Sequence, residues 1–244
     1  MKTNLDYKYE ARKALRGNWG RAVLATIIFF FITCAITTPV LVSSYQMQDK
    51  MASMTTTSSA LQASDPAVAQ QLLETSMEAS RAGGMTTLLE ILLLLPLTLG
   101  FTNAFKELLL EGDPYIFSNT IKIGFRPYWR NIWGMLLMGI LTVLWTFLFI
   151  IPGIIKAFSY SMTPYILHDN PELSASEAIH RSRMMMRGHK FDLFWLWLSF
   201  IGWMFLCILT AGIGFLWLCP YMETAQAAFY QDVKAEYELK GGLD

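Results

Sequence analysis

The sequence is poor in charge. Asp, Glu, Lys and Arg make up 16% of its 244 residues, against roughly a quarter in ordinary soluble domains. The charges it has are also unevenly spread. None occurs from Asn131 to Ile155, 25 residues, or from Leu193 to Met222, 30 residues. Apolar runs of ~18 residues or more read as membrane spans, which argues against a soluble enzyme. Nineteen basic and nineteen acidic residues cancel, and no basic domain remains outside the apolar segments, so nucleic acid is not an expected partner. Cysteine is scarce. Cys34, Cys207 and Cys219 all fall in apolar segments, where they read as small packing residues rather than a disulfide or metal framework. The sequence also lacks a Gly-x-Ser-x-Gly elbow, a Walker loop and a His-Glu-x-x-His pair. His168, His180 and His189 are 12 and 9 residues apart, unlike metal ligands one helical turn apart. No catalytic set, metal or cofactor is expected.

What is present is apolar. Residues of the AVILMFWYC set reach 54%, and the mean hydropathy is +0.37. The pattern predicts an all-α fold, a single polytopic membrane domain over residues 1–244. It holds six transmembrane helices, as three hairpins with amphipathic helices on the inner face. The spans are expected at about 22–42, 85–110, 133–151, 154–167, 191–209 and 215–230. The first apolar core is longer than a signal peptide's, and no convincing cleavage site follows it. Ile151-Pro152-Gly153 predicts the turn between spans three and four, since both proline and glycine interrupt helices. The 30-residue uncharged block would be about 45 Å as one helix, well beyond a ~30 Å hydrocarbon core. It is therefore divided at Thr210-Ala211-Gly212-Ile213-Gly214.

Orientation follows from Lys and Arg. With both termini in the cytosol, sixteen of the nineteen fall on the inner side; only Lys50, Arg81 and Lys156 do not. The expected location is a plasma membrane. Residues 46–84 form the one long outer segment, a polar loop containing a short helix that begins at Asp65-Pro66 and ends at Gly83-Gly84. It reads either as a surface helix or as a spacer. On the inner side, Ser174-Ala175-Ser176-Glu177 predicts a capping box opening a basic helix that Gly188 closes. Ala178, Ser182, Met185 and Met186 form its apolar stripe. Glu10 to Arg16, closed by Gly17, and Ile121 to Trp129 are two further basic lead-ins. They suggest either a threefold internal repeat or convergence on interfacial chemistry.

Three blocks carry a resemblance. They are Leu148 to Met162, then Asp169-Asn170-Pro171-Glu172-Leu173-Ser174-Ala175 with Glu177 to Ile179 and Ser182 to Lys190, and last Phe200 to Trp203 with Thr210 to Gly214 and Pro220 to Tyr230. Together they resemble a domain-of-unknown-function family of multi-pass membrane proteins from Gram-positive bacteria. The resemblance implies a bacterial plasma-membrane protein and transfers no catalytic residue.

Charges inside spans are costly and mark either ion pairs or functional paths. Glu90, Lys156 and Glu223 form a possible intramembrane polar site, with Glu90 and Lys156 a candidate ion pair. Lys106 and Glu107 near a span end are expected to snorkel. The residues expected to bind a lipid or partner are Arg181, Arg183, Arg187 and Lys190, because basic helices on the inner face attract anionic headgroups. The functional expectation is a non-enzymatic membrane protein that binds or organises anionic inner-leaflet lipid, a membrane-protein partner or copies of itself. The alternative is a small transporter or exporter component using Glu90, Lys156 and Glu223.

Overall fold

The computed structural model describes residues 2–60, 66–112 and 115–241, and among them every regular element is a helix. The chain divides into two compact units: Met1–Phe29 with Leu95–Asp244, and Phe30–Leu94. Four stretches are long and apolar enough to cross a membrane: Trp19–Thr38, Ile91–Glu111, Tyr128–Leu148 and Lys190–Leu209.

The second unit consists of the later part of α2 (Trp19–Ala60) and the earlier part of α3 (Pro66–Glu111). The polar segment 46–84 was expected as a loop with one short helix. Instead it is helical on both sides of residues 61–65. Pro66 does open a helix, but α3 runs through Gly83-Gly84 without ending there. No proline or glycine lies between Pro39 and Ala60, so nothing in that stretch breaks α2. Two helical glycines cost only ~1 kcal/mol each. Asp65, the expected cap, lies outside the described residues.

The larger unit begins with α1 (Asn4–Leu15), opened by a capping box in which Thr3 accepts from the Asp6 N–H and Asp6 accepts from Thr3. It starts six residues before the expected Glu10. After α3 come α4 (Ile116–Gly124), α5 (Tyr128–Leu148), α6 (Ile150–Tyr160) and α7 (Thr163–Asp169). The α5–α6 connection falls at extended Phe149, not at Pro152-Gly153. Those two residues sit in the first turn of α6, where a proline loses no helical hydrogen bond. Gly153 instead packs against Thr146 of α5.

The expected fourth helix, 154–167, is two helices. It breaks at Ser161-Met162, and Pro164 lies in the first turn of α7. The next elements are α8 (Ala175–Met185), α9 (Lys190–Leu198), α10 (Ile201–Leu209) and α11 (Phe215–Leu239). The expected turn at Thr210–Gly214 is present: Gly212 has φ +87°, and Gly214 N–H donates to Thr210 Oγ1 at 3.1 Å. The fifth expected helix also breaks, at Ser199-Phe200, and Lys8 Nζ donates to the Ser199 carbonyl at 2.9 Å.

The core gathers where α1, α7, α8 and α11 meet. Ala225, Ala227 and Ala228 on α11 are buried with Phe229 and Tyr230. Such small residues let α1 approach closely, and Tyr7 of α1 packs edge-on against Phe229 at 5.4 Å. The Tyr7 hydroxyl also donates to Asp232 at 2.6 Å. Farther along, the surface is apolar: Phe147 is 91% exposed and Leu209 87%.

Candidate functional site

The first feature of the site is α8 and its basic face. Ser174 and Glu177 form the expected capping box, which satisfies two of the orphan N–H groups at the helix start. Gly188 at φ +94° follows the helix, a left-handed conformation that glycine adopts without strain. Gly17 after α1 has φ +88°, so α1 and α8 share a capped start, a basic end and a glycine exit. The lead-in at α4 has no side-chain cap. The expected stripe of Ala178, Ser182, Met185 and Met186 is buried, and Ser182 Oγ donates to the Ser159 carbonyl of α6 at 2.9 Å. The opposite face is basic. Arg183 and Arg187 are exposed, and Arg183 lies 3.1 Å from the His180 ring nitrogen Nδ1. Half-buried Arg181 lies 5.8 Å over the Tyr237 ring. Lys190 is also half-buried.

The second feature is a buried ion cluster at the end of α7, which the sequence did not disclose. Lys106 was expected to snorkel. Its side chain is only 3% exposed, and it is ion-paired with Asp169. The other carboxylate oxygen, Oδ2, accepts from Lys234 Nζ at 2.7 Å and from the Tyr230 hydroxyl at 2.8 Å. His168 stands beside them, its Nδ1 2.8 Å from Lys106 Nζ and its Nε2 3.5 Å from Glu107. Burial by itself would raise the Asp169 pKa. The His168 ring and the charges and hydrogen bonds of Lys106 and Lys234 outweigh it, and hold the carboxyl well below the usual carboxylate range.

Arg130 of α5 completes the clasp. It donates to the carbonyls of Leu167, Asn170 at 2.8 Å and Leu173 at 3.2 Å. The Asn170 carbonyl also accepts from Leu173 N–H at 3.2 Å. The Leu167 carbonyl at the end of α7 is one that a helix leaves without an intrahelical donor, and a cation there also complements the helix dipole. Asn103 of α3 bridges its own helix to α7, donating to Leu99 O at 3.0 Å and Pro164 O at 2.9 Å. The segment from His168 to Leu173 is therefore held by α3, α5 and α11 together. The chemistry of the cluster is that of a clasp.

The expected intramembrane residues are not gathered into one site. Lys156 Nζ sits 4.4 Å over the Trp145 ring, and its charge faces Lys190. Glu223 hydrogen-bonds Thr102 and lies in the field of Tyr165. The Tyr165 hydroxyl is fully buried, with no hydrogen-bond partner among the described residues. The side chain of Glu90 is outside the described residues, and so is its expected pairing with Lys156. No sequence signal at the cluster named Lys106, Tyr230 and Lys234 as partners of Asp169. They are 61 to 65 residues from it, and only the meeting of three helices joins them.

These features define an all-helical protein with four helices of membrane-crossing length and a buried ionic clasp beside a basic helix. The chain belongs to the DUF975 family of proteins of unknown function, which matches it over residues 1–237. No curated protein and no solved structure matches it.

Proposed function

We propose that the chain is an integral plasma-membrane protein of six crossings in three hairpins, with both termini in the cytosol. In this reading it is non-enzymatic and recruits anionic lipid, or a membrane component carrying anionic groups, through α8. The fourth crossing, 154–167, is formed by α6 and the start of α7, with Asp169 beyond its end, and the fifth is α9–α10. Exposed apolar rows on α5 and α10 support a lipid environment, and the distribution of Lys and Arg supports the orientation. Cysteine introduced at Ser58 is expected to react with an impermeant thiol reagent in intact cells, and cysteine at Leu239 is not. The reverse labelling inverts the topology.

One observation carries the role of α8. Its inner face is fully packed, yet among the described residues Arg181, Arg183, Arg187 and Lys190 have no carboxylate within ion-pair distance. A plain connector between α7 and α9 needs no capped helix bearing Arg181 and Arg183, followed by Arg187 in its exit turn and Lys190 at the start of α9. Replacing Arg181, Arg183 and Arg187 by Gln keeps helix propensity nearly constant. At ~1 kcal/mol per surface cation, the preference for anionic lipid falls by up to about 3 kcal/mol. The measurement is enrichment of phosphatidylglycerol around the full chain in mixed nanodiscs at physiological salt, where exposed charges are partly screened. Equal enrichment in the two proteins removes the electrostatic role.

A second reading, a small transporter component, is favoured by Glu223 and the unpartnered Tyr165 hydroxyl in the bundle interior. Polar groups at such depth line paths as well as pairs.

A further inference from the structure

A groove of about 600 Å³ opens between α1, the start of α2, α10 and α11, within the usual size of ligand sites. Its walls are Trp19, Trp203, Leu206, Trp217 and Leu218. One end is closed by the Thr210–Gly214 turn. The other end is marked by Tyr221, which packs edge-on against Phe200 at 5.3 Å. From Gly214 to Tyr221 the helix rises about 10 Å, so the groove is a channel open along one side, long enough for much of an acyl chain.

Its polar end is basic. Arg12 lines the groove and reaches the Tyr221 hydroxyl at 3.3 Å, with no carboxylate in ion-pair distance among the described residues. Lys8, one turn earlier on α1, lies 4.4 Å over the Phe200 ring. Burial, and then the neighbouring Arg12 charge, hold the Lys8 ammonium below its ordinary pKa. Arg12 in the wall of an aromatic channel, with Lys8 one turn away donating to the Ser199 carbonyl at 2.9 Å, and neither with an acidic partner among the described residues, is complementary to a phosphate joined to a hydrocarbon chain. Guanidinium suits phosphate through its forked donors.

We propose that this groove binds one acyl chain of an anionic phospholipid, with the lipid phosphate on Arg12 and Lys8 beside it. The site is separate from the α8 face, but it rests on the reading of the chain as a membrane protein.

The test is quenching of tryptophan fluorescence in the full chain reconstituted in phosphatidylcholine. A small, fixed mole fraction of acyl-brominated phosphatidylglycerol is compared with the same fraction of brominated phosphatidylcholine. Tryptophans facing bulk lipid respond to both. Binding in the groove adds quenching by the anionic lipid alone, with a preference of about fivefold for each cation that counts. Replacing Trp19, Trp203 and Trp217 together by Phe removes that excess. Arg12→Gln abolishes it and Arg12→Lys keeps most of it, which a merely structural loss at Arg12 would not do. The variant with Gln at Arg181, Arg183 and Arg187 keeps it.

Equal quenching by the two lipids means ordinary boundary lipid fills the groove, and overturns the proposal. If the excess is lost in the α8 variant and kept in Arg12→Gln, the groove assignment fails and the role of α8 stands. If neither variant changes it, the groove assignment fails, and the role of α8 is decided by the nanodisc enrichment alone.

Discussion

Replacing Asp169 by Asn lowers the stability of the folded chain by about 3–5 kcal/mol, the usual cost of leaving a buried charge without its partner. Lys106 is the charge left behind. Its side chain is 3% exposed, so water cannot replace the carboxylate. The same substitution weakens the acceptor that receives Lys234 and the Tyr230 hydroxyl. Lys234 is 26% exposed, and its removal alone costs only about 1 kcal/mol because solvent screens that pair. Adding Lys106→Met to Asp169→Asn recovers part of the loss, since no buried charge then remains. The measurement is helicity-monitored unfolding in mixed micelles. If Asp169→Asn and Lys234→Met cost the same small amount, the clasp contributes nothing.

The pH dependence has a definite sign. The folded-state pKa of Asp169 lies below the unfolded value of about 3.9. Its stabilisation is therefore complete above about pH 5 and is lost as the pH falls toward the folded value. The Asp169→Asn chain lacks this component of acid sensitivity.

The second large effect is expected at Gly124. Here α4 crosses α3 with backbone against backbone. A Cβ on Gly124 would overlap the Pro96 carbonyl, and one on Gly100 would overlap Thr120 O and lie 2.9 Å from Gly124 N. Neither obstacle is a side chain that can rotate away. Overpacking of a core costs ~1–3 kcal/mol where side chains yield, so Gly124→Ala is expected at about 3 kcal/mol or more. Gly139 of α5 is the control, with nothing within 4 Å of its added Cβ. Ala there gains up to about 1 kcal/mol of helix propensity. Opposite signs for the two substitutions in the same unfolding assay are the expected result. Gly124→Ala with unchanged stability would mean that α4 does not pack as described.

Some of this was written in the residues themselves. Uncharged runs declared apolar helical segments, because no charged side chain in them seeks water. The capping box at Ser174 to Glu177 and the exit at Gly188 bounded α8, since caps act within a single turn of backbone. The stripe of Ala178, Ser182, Met185 and Met186 named its packed face through helical periodicity. Glycine and threonine at Thr210 to Gly214 marked the turn before α11 for equally local reasons.

Other features were decided only by tertiary structure. A proline or glycine disturbs a helix at a position that packing selects. Pro152 and Gly153 were thus absorbed into α6 while the chain turned at Phe149, and the helix broke instead at Ser161 and Ser199. The polar stretches 46–60 and 66–84 are helical because propensity differences are small: no proline or glycine lies in the first, Pro66 stands at the start of a helix, and Gly83-Gly84 are tolerated inside it. Above all, Lys106 reads in sequence as a cation at a helix end. It becomes a buried partner of Asp169 only because α3, α7 and α11 converge, and an interaction spanning 63 residues leaves no periodic trace in the chain. Local hydrogen bonding and hydropathy were the sequence's to determine. Which charges lose water, and therefore need one another, was decided by the packing of distant helices.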